Sequence, residues 1–92
     1  MKAQEEKRII RIMKEAVLPT KGVADFSRPI QMHVTKEEEI SMDIFLTVNY
    51  GTKIPALCWN VQKKAKEILK GCGYQKINEI NIFVDHVKVP HF

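Results

Sequence analysis

A chain of 92 residues holds enough material for one core, built from one sheet with two or three helices, and too little for two domains. Its 45% apolar and 28% charged composition excludes a disordered polypeptide, and no apolar run reaches the roughly 18 residues of a membrane-spanning helix. A formal net charge of +4, from 15 Lys+Arg against 11 Asp+Glu, permits an anionic partner without demanding one.

The N-terminal MKAQEEKRIIRIMKE has no secretory apolar region, so a cytoplasmic protein without direct membrane insertion is expected, forming one domain over residues 1–92. From Glu5 to Leu18, Ile9, Ile12, Met13, Ala16 and Val17 recur at helical spacing, with Lys7, Arg8, Arg11, Lys14 and Glu15 between them. That amphipathic helix should stop before Pro19. VADFSRP, 23 to 29, has no clear period, whereas IQMHVT, 30 to 35, alternates like a strand. KEEE, 36 to 39, suits a hairpin connection into ISMDIFLTVNY, which places Ile40, Met42, Ile44, Leu46, Val48 and Tyr50 on one face.

Gly51 breaks the strand, and Pro55 is tolerated in a first helical turn. Ile54, Leu57, Cys58, Val61, Ala65, Ile68 and Leu69 form one stripe of the helix that follows, with capping glycines at Gly71 and Gly73. INEINIFVDHVKV, 77 to 89, is a β-rich strand in which Ile80, Ile82 and Val84 face one way and Asn81, Phe83, Asp85 and Val87 the other. The expected fold is α+β, one α-β-β-α-β domain with a three-stranded mixed sheet and both helices on one face. Its core should hold Ile44, Leu46, Val48, Leu57, Val61, Ile68, Ile80, Ile82 and Val84.

No catalytic, cofactor or metal constellation is legible. Cys58 and Cys72 are not spaced as a redox or zinc pair and are expected to be free thiols. His33, His86 and His91 lack standard zinc spacing. The loop YGTKIP lacks the repeated glycines of a phosphate-binding loop, so it reads as a tight strand-to-helix turn. Two surfaces stand out instead. At about 100° per residue, Trp59 leaves the apolar stripe and joins Lys63, Lys66 and Lys70 on a basic aromatic face. Phe45 and Phe83 occupy strand positions opposite the core-facing residues, where with Val87 and Val89 they would form an apolar patch of the kind that marks chain association.

VNYGTKIPALCWNVQKKAKEILKGCGYQKINEINIFV also resembles the alkaline shock protein family of mainly Gram-positive bacteria. The pattern is a strand ending in Tyr50-Gly51, then Ile54-Pro55, a helix with Val61-Gln62 and Lys66, and a strand carrying Ile80-Asn81; Gly22-Val23 match upstream. Trp59 and the GCGY turn depart from it. The resemblance implies a non-enzymatic cytoplasmic protein of the cell envelope stress response that self-associates and is held near the membrane, in some members, by an anchored protein partner. Together with Trp59 and the two phenylalanines, it favours a protein-interaction module. The alternative is nucleic-acid binding through the lysine face, since the element order resembles part of a KH domain; the backbone-clamping GxxG loop is missing.

Overall fold

The computed structural model describes residues 3–90. The elements in chain order are α1 (Ala3–Val17), β1 (Val23–Phe26), β2 (Gln31–Val34), β3 (Glu39–Asn49), α2 (Ile54–Gly71) and β4 (Lys76–Lys88). Helix α1 buries Ile9, Met13 and Val17, which fall on one stripe at four-residue steps. After Pro19 the chain turns at Gly22, φ 99°, whose carbonyl accepts a hydrogen bond from the Asn49 amide at 2.8 Å.

The segment VADFSRP is not irregular. Its first half is β1, antiparallel to the C-terminal half of β3, with Val23 opposite Val48 and Phe26 opposite Leu46. The expected α-β-β-α-β order with three strands is therefore corrected to α-β-β-β-α-β with four. The pattern hid β1 because the pairing register shifts between Val23 and Asp25, so one extra residue breaks the alternation. Pro29, without an amide to donate, then separates β1 from β2, and the two short strands share one edge of β3. Strand β2 pairs antiparallel with the other half of β3, Val34 opposite Ile40, through the expected turn at residues 36–39. In that turn Glu38 takes φ 62° and its amide donates to the Thr35 carbonyl at 3.0 Å. Strand β4 pairs parallel to β3 on the opposite side, so the sheet is mixed.

Ile40, Met42, Ile44, Leu46 and Val48 of β3 are at most 1% exposed, and Leu57, Val61, Ala65 and Leu69 of α2 pack into the same core as the α1 stripe. Both helices thus cover one face of the sheet. Helix α2 ends in a Schellman arrangement: the Tyr74 amide donates to the Leu69 carbonyl and the Gly73 amide to that of Lys70, each at 3.0 Å, with Gly73 at φ 96°. That turn leads directly into β4.

Four of the expected core residues are only half-buried, namely Ile68, Ile80, Ile82 and Val84. Three of them lie on β4, which pairs on one side only, so its helix-facing side chains are less enclosed than those of β3. Tyr50, expected on the buried face, is 70% exposed because β3 ends at Asn49 and Tyr50 begins the turn.

Candidate functional site

The face of the sheet turned away from the helices carries alternate residues of β3 and their β4 partners. Parallel register sets Phe45 beside Phe83, and the two rings stack with centroids 5.0 Å apart and planes 15° from parallel. The Arg28 guanidinium lies over the Phe45 ring at 5.1 Å from its centroid. Its Nε also pairs with Asp85 Oδ2 at 3.0 Å, and the Ser27 hydroxyl donates to the same oxygen at 2.8 Å. Two residues before the rings in each strand, Asn81 Nδ2 donates to Asp43 Oδ1 at 3.1 Å. The ring pair therefore sits between an amide–carboxylate pair at one end and a basic–acidic pair at the other. Phe83 remains 44% exposed.

Val87 and Val89 do not join this patch. The β3–β4 register skips Asp85, so Leu46 stands opposite Val84 while Thr47 stands opposite His86 and Val48 opposite Val87. The bulge moves Val87 to the helix side, where it shares a shallow pocket with Ile54 and Val89. It also frees Asp85 to turn toward Arg28. Ser27, Arg28, Asp43 and Asp85 were not singled out from the sequence. Asp43, a charge on the open face of a strictly alternating strand two residues before Phe45, was the one available signal.

The second surface is the outer side of α2. Trp59 is 61% exposed, and Lys63 Nζ lies 5.3 Å from the centroid of its ring. Trp59, Gln62, Lys63 and Lys66 face Ile77, Asn78 and Ile80 of β4 across a groove of about 450 Å³. Gln62 Nε2 bridges it, donating to the Ile80 carbonyl at 3.0 Å. Lys70, also exposed, lies one turn beyond the groove. The structure thus gathers Trp59, Lys63 and Lys66 at one place and Phe45 with Phe83 at another.

Cys58 and Cys72 are free and half-buried, and burial pushes the Cys58 thiol above its ordinary pKa, which favours the protonated, unreactive form. Among the described residues no group of three or more His, Cys, Asp or Glu side chains is placed to hold a metal ion. His33 stands opposite Ser41 and His86 opposite Thr47, at different levels of the sheet, and His91 lies outside the described residues. No helix among the described residues is long and apolar enough to cross a membrane.

In fold, the chain is similar to solved forms of the MamM CTD. One gives a TM-score of 0.71 at 13% identity over 91% of this chain and 99% of that one; a second gives 0.73 at 13% over 91% and 95%. Other forms of that domain carry zinc or nickel. At this identity the likeness concerns the fold. In sequence, the chain is 35% identical over 67 residues to the uncharacterized protein YloU of Bacillus subtilis, covering 73% of this chain and 55% of YloU. It is 23% identical over 64 residues to the uncharacterized protein Spy1535 of Streptococcus pyogenes, covering 70% and 50%. The chain thus spans about half the length of the curated relatives it matches. The model of the alkaline shock protein 23 family, described by a cell envelope-related function, matches residues 1–89, and the chain belongs to that family.

Proposed function

We propose that the chain is a non-enzymatic protein-interaction module of the cell envelope stress response, which self-associates by laying the open face of its sheet against that of a second copy. The observation that carries this reading is the stacked, part-exposed Phe45–Phe83 pair on a sheet face that no helix among the described residues covers. Its polar surroundings favour a second copy as the cover. A two-fold axis running across the strands at the level of the rings would bring Asp43 of one copy toward Arg28 of the other, opposite charges in both halves of an isologous contact. No cofactor takes part. In this reading the module works in the cytoplasm and reaches the membrane through an anchored protein partner.

Light scattering on a size-exclusion column, over a series of protein concentrations, tests the reading. Wild type is expected to show a mass of at least two chains that falls on dilution, and Phe83→Lys, at an exposed position, to elute as a folded monomer. A wild type that stays monomeric at every concentration overturns self-association. A dimer indifferent to Phe83→Lys overturns the choice of face.

A further inference from the structure

We propose that the groove between the free edge of β4 and the Trp59 side of α2 binds an extended acidic peptide from another protein, which adds to the sheet as a further strand. Strand β4 runs for 13 residues from Lys76 to Lys88 and pairs only with β3 among the described residues, leaving its other edge without a strand partner. A long free edge is a template for β-augmentation. The Gln62 side chain already behaves as a stand-in for such a strand: its amide donates at 3.0 Å to the Ile80 backbone carbonyl. Successive residues of a strand turn their backbone groups to opposite sides, so Ile82 and Val84 present theirs to the same open edge as Ile80.

What flanks that edge decides the chemistry of the occupant. On the helix side, Trp59, Ile77 and Ile80 supply an apolar floor, and an exposed tryptophan is a typical interface anchor. Lys63 and Lys66 rise along the same wall, with Lys70 one turn on, so the groove is positively charged along its length. The acidic member of that helix turn, Glu67, lines a different pocket beside Ala16 and Lys64. A second copy is the poorer occupant. Antiparallel pairing of two β4 edges in full overlap sets Lys76 against Lys88 and Glu79 against Asp85. In an added strand every second side chain turns to the helix side, where acidic residues meet the lysines and their methylenes lie along the floor, while β-branched residues between them hold the strand extended.

A fluorescein-labelled peptide of alternating glutamate and valine, twelve residues long, is the probe, with a lysine–valine peptide and a glutamate–valine peptide N-methylated at every second residue as controls. Fluorescence anisotropy is expected to show binding of the acidic peptide only, weakened by rising salt. Trp59→Ala, which should melt as wild type, weakens it by about thirtyfold. The double variant Lys63→Glu, Lys66→Glu reverses the preference between the two unmethylated peptides, and Gln62→Ala, which removes the competing donor, binds at least as well as wild type. Phe83→Lys leaves the affinity unchanged, which separates this groove from the open face. Absence of binding, equal binding of the N-methylated peptide, or indifference to Trp59→Ala overturns the proposal. Dimerisation of wild type that Trp59→Ala abolishes and Phe83→Lys does not would assign the groove to a second copy instead.

Discussion

Gly22 and Gly51 both hold left-handed backbone, at φ 99° and 85°, but only Gly22 is enclosed. A Cβ added at Gly22 would lie 2.5 Å from Thr52 Cγ2 and 2.8 Å from Leu57 Cδ1, and Leu57 is buried in the core with little room to retreat. At Gly51 it would meet nothing within 4 Å. Gly51→Ala should therefore cost the conformational strain alone, about 1–2 kcal/mol. Gly22→Ala should add an overpacking cost of about 1–3 kcal/mol. Urea denaturation of the two variants measures the difference, and equal losses would mean that the close approach of the Gly22 turn to α2 is wrong. Gly22 matters because its turn delivers β1 to the edge of β3, and with it Ser27 and Arg28 to the open face.

The elements differ in how readily their faces can be read. Strand β3 alternates strictly and is central, so every helix-facing residue from Ile40 to Val48 is buried as its pattern requires. Strand β4 is likewise rich in β-branched residues but has an open edge and two register shifts, which leave Ile80, Ile82 and Val84 half-buried. Truncation should reflect this: Leu46→Ala is expected to cost about 2–5 kcal/mol. Val84→Ala, partly solvated already, should cost about 1 kcal/mol. Comparable costs, measured by thermal or chemical unfolding, would mean that β4 is as enclosed as β3. The same contrast explains what the sequence concealed. Periodicity carries a face only while the register holds, so the extra residues near Val23 and at Asp85 hid β1 and sent Val87 to the wrong side. The ring pair was legible because Phe45 and Phe83 precede that bulge in register. Its polar frame was not, since Ser27 and Asp85 are 58 residues apart and only the folded sheet brings them together.

The two helices and four strands of the described residues make two layers, with a smallest dimension of 18 Å. One layer of helices protects one face of the sheet, and the other face is left carrying aromatic rings between opposite charges. A second copy laid over that face would close it and leave the basic groove beside β4 free for a different partner. Isotope-filtered nuclear Overhauser spectroscopy on a mixture of labelled and unlabelled protein tests this closure directly. Contacts between chains should involve the Phe45 and Phe83 rings and join Asp43 in one copy to Arg28 in the other; contacts confined to Trp59 and the edge of β4, or none at all, would contradict it.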